Sequence, residues 1–219
     1  MWKKLGDTIN IEGTTNEAVG NYIHKPLSLT GNGLIVAIGD QFFDANGDYS
    51  NGRARVYKYN GTYWSQRGDD IIGPSGSRSG WSVCLSEDGE RLAVGMPSDP
   101  ALNLNLDPGS VRVYRWNRQM GGSWIQMGSD IIGEAPGDAF GQSVSLSNSG
   151  DRLAVSADQN DGNGADSGSV RVYEWQGSEW IQLGGDIEGE AAADGSGISV
   201  SLSGNGVSWD CREYGRWYR

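Results

Sequence analysis

Long apolar segments are missing from this sequence, and so are the features of several common functional classes. No stretch approaches the roughly 18 consecutive apolar residues that a transmembrane helix needs. Residues 1–7 contain no apolar stretch of signal-peptide length. Basic residues are outnumbered, with 17 Lys and Arg against 28 Asp and Glu, which gives a formal net charge of −11. A chain this acidic repels phosphate backbones and anionic membranes, so we expect neither nucleic-acid binding nor membrane insertion.

Cysteine and histidine are scarce as well. Cys84 and Cys211 are far apart and form no CxxC pair, so they define neither a disulfide framework nor a redox compartment. The single histidine, His24, stands where a later repeat has Gly141, which favours a strand residue over a general base. The sequence contains no GxSxG, HExxH or Walker motif. We therefore predict that the chain is not an enzyme.

Glycine is abundant, with 35 residues against 6 prolines, a profile typical of many short strands joined by tight turns. Internal repetition then determines the fold. Four segments share the pattern of a tryptophan followed by Gly and Asp, and they start 62, 60 and 56 residues apart: residues 2–7, 64–69, 124–130 and 180–186. Upstream blocks recur in a fixed order, at 53–59, 110–116 and 169–175, at 34–38, 91–95 and 152–156, and at 26–30, 82–86, 143–147 and 199–203.

Each upstream block alternates large and small residues with the period of a strand. Val144 and Leu146 share one face of their block and small serines share the other, which suits an inner strand packed between two sheets. Gly-containing turns join the first two strands of each unit as a hairpin. The sequence therefore predicts an all-β fold, a β-propeller with one four-stranded antiparallel blade per repeat.

Three full blades are predicted at residues 10–72, 73–132 and 133–188, with partial blades at 1–9 and 189–219, in a single partial propeller. Either the two partial blades complement each other, with the Trp2 segment completing a blade begun at Ile198, or the arc stays open. An open arc exposes blade faces and favours self-association.

From Val207 onward the repeat pattern stops, and the codons for Trp209-Asp210-Cys211, read one base later, restore residues close to those of the repeat. We interpret this tail as a frameshifted end of a longer propeller gene, which sequencing of the locus would test.

The third repeat contains Phe140-Gly141-Gln-Ser-Val-Ser-Leu followed by Leu153-Ala-Val-Ser-Ala, and the second contains Val94-Gly95-Met96-Pro97. These segments resemble the FG-GAP repeat of integrin α-chain propellers. Two other copies have Ser79 and Ser196 in place of Phe140. The resemblance implies an extracellular or cell-surface protein for adhesion or protein binding, in which some blades bind calcium between their first two strands. Here that loop, at residues 86–91 and 147–152, is too short and is followed by arginine, so this calcium site is not carried over.

The loop between the second and third strands is more acidic. In the third repeat it contains Asp158, Asp161 and Asp166, which we take as candidate ligands for Ca²⁺. Residues 40–48 are its counterpart in the first repeat, whereas residues 98–108 of the second repeat differ. The spacing does not match an EF-hand loop, and no Glu closes it. The alternative is a solvated, Asx-rich turn.

The repeated tryptophans Trp64, Trp124 and Trp180 lie opposite Tyr59, Trp116 and Trp175 in the predicted hairpins. Such positions favour cross-strand aromatic pairs that stabilise each sheet. The alternative is a set of sugar-stacking platforms. We therefore expect a non-catalytic binding or adhesion scaffold with a protein or glycan ligand. A lectin-like propeller is the first alternative, and an enzyme built on a propeller scaffold is the second.

Overall fold

The computed structural model describes residues 4–9, 27–45, 51–97, 108–119, 121–213 and 216–218. These residues form strands joined by turns, and none of their segments is a helix long and apolar enough to cross a membrane. Blade 1 contains β1 (Leu27–Leu29), β2 (Ile35–Asp40), β3 (Arg53–Tyr59), β4 (Trp64–Gln66) and β5 (Ile71–Ile72). Blade 2 contains β6 (Ser82–Leu85), β7 (Arg91–Met96), β8 (Ser110–Asn117), β9 (Ser123–Gln126) and β10 (Ile131–Ile132). Blade 3 contains β11 (Val144–Leu146), β12 (Arg152–Ala157), β13 (Ser169–Trp175), β14 (Trp180–Gln182) and β15 (Ile187–Glu188), and blade 4 contains β16 (Ser199–Leu202), β17 (Trp209–Glu213) and β18 (Arg216–Tyr218).

Blades 1 to 3 share one antiparallel topology. The first three strands pair in chain order, and the third strand then pairs along its outer edge with two short strands, as in β3 with β4 and β5. These two short strands are one outer strand interrupted at a glycine with positive φ, which is Gly68 in blade 1. The residue before the glycine keeps its ladder hydrogen bond, since Arg67 N donates to Val56 O at 2.7 Å. Each repeat is thus a four-stranded blade with a kinked outer strand, and the predicted all-β propeller fold is confirmed.

The sheet of blade 4 contains β16, β17 and β18 in the described part of the chain. Val200 lies opposite Cys211, just as Val144 lies opposite Val155 in blade 3, so the atypical tail continues the register of the repeat. Cys211 is accordingly buried, at 2% exposure. The frameshift hypothesis concerns the gene and stays a prediction.

The inner strands of successive blades are joined through their small polar side chains. Leu85 N donates to Ser28 Oγ at 2.9 Å, Leu146 N to Cys84 Sγ at 3.2 Å, and Leu202 N to Ser145 Oγ at 2.9 Å. The alternation of large and small residues therefore has a physical cause. Large residues enter the apolar clusters between blades, and small ones accept a backbone hydrogen bond from the next blade. The same alternation at Cys84 explains why a cysteine stands in a serine position.

Close approach between blades also explains both glycines of the family motif. Gly141 has φ +96°, and a Cβ there would lie 2.6 Å from Ser110 O. Gly95 of the preceding blade faces it, and a Cβ on Gly95 would lie 2.2 Å from Gly141 O. Neither position has room for a side chain, so backbone packs on backbone at this junction.

Several predictions fall on residues that the structure does not describe. Trp2, His24, residues 46–48 and most of the 98–108 loop lie outside the described residues. The division into blades at 10–72, 73–132 and 133–188 also stays a prediction.

Candidate functional site

Asp158 is the first residue after β12 and opens the loop to β13 of blade 3. Its side chain is buried, at 6% exposure. Gln142 Nε2 donates to Asp158 Oδ2 at 3.4 Å, a long hydrogen bond from the segment that follows the Phe-Gly motif. Asp158 Oδ1 is buried and has no hydrogen-bond partner. A buried carboxylate oxygen without a donor is unusual and is a candidate contact for a ligand.

A cavity of about 280 Å³ lies at this carboxylate, lined by Asp158, Gln159, Asp166 and Ala193. Asp166 and Ala193 adopt left-handed backbone conformations, with φ +52° and +64°. Two loops build the rim and are bonded to each other, because Ala193 N donates to Ala165 O at 2.8 Å and Gly195 N donates to Asp166 O at 3.0 Å. The cavity is therefore formed between blade 3 and the segment that leads to blade 4.

The acidic loop is held by a network of amide side chains. Asn160 Nδ2 donates to Asp138 Oδ2 at 2.9 Å, and Asn160 Oδ1 accepts from Gly162 N at 2.9 Å. Asn163 Nδ2 donates to Gly189 O at 2.8 Å. These contacts are the Asx-turn chemistry that the sequence suggests, and they fix the loop in place.

The electrostatics of the cavity follow from burial and from a second carboxylate. Burial raises the pKa of Asp158 to about 6, with a smaller contribution from the negative charge of Asp166 and against the lowering effect of hydrogen bonds from its own backbone N–H and from Gln142. Asp158 is consequently ionised at neutral pH and neutral below about pH 5. At neutral pH the cavity contains two negative charges and one unused buried acceptor, an arrangement that attracts a positively charged hydrogen-bond donor.

The three predicted metal ligands are only partly brought together. Asp158 and Asp166 line the cavity, whereas Asp161 Oδ1 accepts from Asp166 N at 2.8 Å and supports the loop from within. Among the described residues, no group of three or more His, Cys, Asp or Glu side chains is arranged to hold a metal ion. The calcium assignment stays a prediction.

The predicted counterpart in blade 1 is out of register by one residue. Asp40 pairs with Arg53 in the ladder, as Ala157 pairs with Ser169, so Gln41 rather than Asp40 corresponds to Asp158. The Asp40 carboxylate accepts from Arg53 at 3.1 Å and is an ion-pair partner within the blade.

The tryptophans form the cross-strand pairs that the sequence predicts. Their indole N–H groups donate to the outer strand of the preceding segment. Trp64 bonds to Leu5 O at 3.0 Å, Trp124 to Arg67 O at 2.9 Å, and Trp180 to Met127 O at 3.1 Å. The ring centroids lie 5.5, 5.3 and 5.4 Å apart in the pairs Tyr59–Trp64, Trp116–Trp124 and Trp175–Trp180. These rings join strands and blades, which weakens the sugar-platform alternative.

The repeated Asp of the outer strand also has a structural role that the sequence reasoning missed. Arg112 donates to both oxygens of Asp130, and Gln126 Nε2 donates to Asp130 Oδ1 at 2.7 Å. Burial opposes ionisation of Asp130, but the hydrogen bonds from Arg112 and Gln126 lower its pKa overall. The contributions of Gln159 and Ala193 to the cavity and the contact of Gln142 with Asp158 were missed too, because three separate segments supply them and no local pattern marks them.

The repeated sheets, packed through their inner strands, define a β-propeller repeat protein. Residues 133–173, which cover most of blade 3, match the family model of the FG-GAP repeat. The chain thus carries an FG-GAP repeat, and the predicted resemblance is confirmed. No curated protein is similar to the chain in sequence.

Among solved structures, the chain is similar to a protein from Bacteroides uniformis ATCC 8492 that is provisionally named a 6-phosphogluconolactonase. The sequences are 14% identical and the TM-score is 0.48. The match covers 74% of this chain and 39% of the other, so the chain spans well under half of that protein.

The prediction that the chain is not an enzyme is wrong as an exclusion. The similar structure carries the name of an enzyme. Neither a fold nor the lack of known motifs decides whether a chain is catalytic. A likeness at this level assigns no reaction to the present chain.

Proposed function

We propose that the chain is a binding scaffold in which the blade 3 cavity receives a basic side chain, Lys or Arg, of a protein partner. The observation that carries the proposal is the buried Asp158 carboxylate, whose Oδ1 has no hydrogen-bond partner and whose side chain lines a cavity together with Asp166. Adhesion at the cell surface, which the FG-GAP resemblance implies, is the setting in which we propose this binding occurs.

Desolvation provides the driving force. A carboxylate held away from water with an unused acceptor loses hydration that its hydrogen bonds within the chain replace only in part. An ammonium or guanidinium group supplies both an opposite charge and N–H donors, and such charge-assisted hydrogen bonds are about twice as strong as neutral ones. Binding therefore relieves a cost that the unbound protein carries at neutral pH.

Size and charge favour a side chain over larger ligands. The cavity volume of about 280 Å³ lies just below the range of about 300–1,000 Å³ that is usual for drug-sized ligands. The formal net charge of −11 attracts basic partners over long range and accelerates their association.

The other candidates have less support. Calcium requires about six to eight oxygen ligands, whereas the cavity offers two carboxylates and one amide side chain. Glycan stacking requires rings with free faces and donors, yet the indole N–H groups of the repeated tryptophans are already bonded.

The test is a titration with acetyl-lysine amide, followed by the backbone amide resonances of the ¹⁵N-labelled chain. We expect saturable shifts in residues 158–168 and 189–195, and no comparable shifts with acetyl-norleucine amide, which has the same stem without the charge. Asp158→Asn should weaken binding roughly tenfold or more, because it removes the charge and keeps the shape. Asp69→Asn, which removes an exposed carboxylate from blade 1, is the matched control and should leave binding unchanged.

Two results would contradict the proposal. Equal binding of the norleucine compound would mean that apolar contact, not charge, drives uptake. Micromolar binding of calcium chloride that is lost in Asp158→Asn would establish a metal site in place of a side-chain site.

A further inference from the structure

The outer edges of successive blades meet through one repeated contact. An indole N–H donates to the carbonyl three residues after the tryptophan of the preceding outer strand, as Trp180 does to Met127 O at 3.1 Å. The glycine that follows the acceptor residue in the chain packs against the aromatic pair of the next blade. A Cβ on Gly68 would lie 2.8 Å from the Trp116 ring, and one on Gly128 would lie 3.1 Å from the Trp175 ring.

The segment at residues 4–9 makes this same contact with blade 1. Trp64 Nε1 donates to Leu5 O at 3.0 Å, and a Cβ on Gly6 would lie 2.9 Å from the Tyr59 ring. Ile9 packs with Trp64 against Val36 and Ile38. Residues 4–9 therefore lie where the outer strand of a blade preceding blade 1 would lie, and Leu5 is still 44% exposed on its other side.

Among the described residues, no indole N–H donates to the corresponding acceptor on blade 3. Leu183 stands three residues after Trp180 and is 38% exposed, and a Cβ on Gly184 would have open space around it. The tryptophan that the repeat would place there belongs to the outer strand of blade 4. In the described part of the chain the blade 4 sheet contains its first three strands only. The sequence that has this outer-strand pattern and is not used in blades 1 to 3 is Trp2-Lys3-Lys4-Leu5-Gly6-Asp7.

The inner strands offer the same complementarity. Ser201 occupies the position of Ser28, Cys84 and Ser145, each of which accepts a backbone N–H from the next blade, but Ser201 is exposed. Leu27 and Leu29 of β1 correspond to residues that pack on the preceding blade elsewhere, yet they are 58% and 53% exposed. Blade 1 and blade 4 thus present the two halves of the interface that joins blades inside the chain.

We propose that a second copy of the chain completes blade 4, with its residues 2–7 added as the outer strand and its β1 placed against β16. Trp2 of the second copy donates to Leu183 O, and Leu29 N of the second copy donates to Ser201 Oγ. The contacts repeat those between successive blades, so the interface is head to tail and joins unlike surfaces of two identical chains.

One residue lowers the affinity of this interface. Asp210 pairs with Ser201 in the ladder, at the position that Ala37, Ala93 and Ala154 hold in the other blades. Those alanines are 0% exposed between blades, whereas Asp210 is exposed. Covering its carboxylate with the apolar face of β1 requires desolvation, and charged residues in this kind of position limit association of sheet edges and terminal repeats.

The test is sedimentation velocity of the 219-residue chain from 1 to 200 µM. We expect the average mass to rise with concentration from 23.5 kDa, the mass of one chain, towards larger species. Asp210→Ala should tighten association roughly tenfold, because it restores the alanine of the other blades. Trp2→Ala should weaken association roughly tenfold or more, as expected for loss of a central aromatic contact. Ile132→Ala, which shortens a side chain of 43% exposure in blade 2, is the control and should have no effect.

The tighter association of Asp210→Ala should depend on Trp2. This dependence distinguishes the proposed interface from misfolding, because a loosely folded variant would associate whether or not Trp2 is present. A mass of one chain at 200 µM in both the original chain and Asp210→Ala would overturn the proposal. Association that persists unchanged in the Asp210→Ala/Trp2→Ala double variant would overturn it as well.

Discussion

Asp158 illustrates how a single buried carboxylate connects stability and binding. Its Oδ1 is without a partner and its pKa is raised to about 6, chiefly by burial. A carboxyl group whose pKa is higher in the folded than in the unfolded state destabilises the fold above the folded-state pKa, and this cost disappears as the pH falls below the unfolded-state value. Blades 1 and 2 avoid the cost, because Gln41 and Pro97 occupy the corresponding positions.

Asp158→Asn should therefore stabilise the unbound protein. The shift from 3.8 to about 6 corresponds to up to about 3 kcal/mol of unfolding free energy at pH 7.5, falling to about 1 kcal/mol at pH 4.5. Urea unfolding of both proteins at the two pH values measures the difference. A variant that is less stable than the original at pH 7.5 would show that the carboxylate has a stabilising partner, and the proposed basic-group site would lose its basis.

At the scale of strands, the outer strand links each blade to the next through one indole hydrogen bond and one glycine. Trp124 Nε1 donates to Arg67 O at 2.9 Å, and Arg67 in turn donates to Gly89 O and Glu90. The Arg67 guanidinium lies 4.6 Å from the centroid of Trp116. A cation, two aromatic rings and a carbonyl thus meet where blades 1 and 2 join.

Trp124→Phe should isolate the contribution of the indole N–H. The smaller ring preserves most of the aromatic contact with Trp116 but leaves Arg67 O without its donor, so we expect a loss of about 1–2 kcal/mol of unfolding free energy. Denaturant unfolding measures this loss. Tyr63→Phe serves as the control, because Tyr63 is an exposed aromatic residue between β3 and β4 of blade 1. Equal stability of Trp124→Phe and the original chain would mean that the ring alone, without the hydrogen bond, joins the blades.

The strands and their order could be predicted from the sequence because each block repeats a local pattern, and repetition averages out chance. The alternation of serine with valine and leucine at 143–147 predicted an inner strand packed between two sheets, and Leu202 N bonding to Ser145 Oγ explains the small residues. The cavity could not be predicted in the same way. Asp158, Gln142 and Ala193 come from three segments whose proximity depends on how blade 3 meets the next segment, and Asp161 points into its own loop. Spacing alone does not determine which carboxylates of a loop converge.

At the scale of the whole molecule, apolar clusters between neighbouring sheets and inter-blade hydrogen bonds hold the blades together. Stability is therefore shared among nearest-neighbour interfaces, as in other repeat proteins. Apolar contacts and backbone hydrogen bonds join these sheets in the described part of the chain, and blades 1 to 3 each contain an Arg–Asp pair.

Calcium should accordingly have little effect on the thermal midpoint of unfolding. A ligand stabilises the folded state only in proportion to its binding, and two carboxylates with one amide fall short of the six to eight oxygens that calcium prefers. We expect midpoints in 1 mM calcium chloride and in chelator to agree within about 1 °C. A rise of several degrees that is lost in Asp158→Asn would place a cation at this carboxylate and restore the calcium assignment. A rise that persists in Asp158→Asn would place the ion elsewhere in the chain and leave the proposal for the cavity intact.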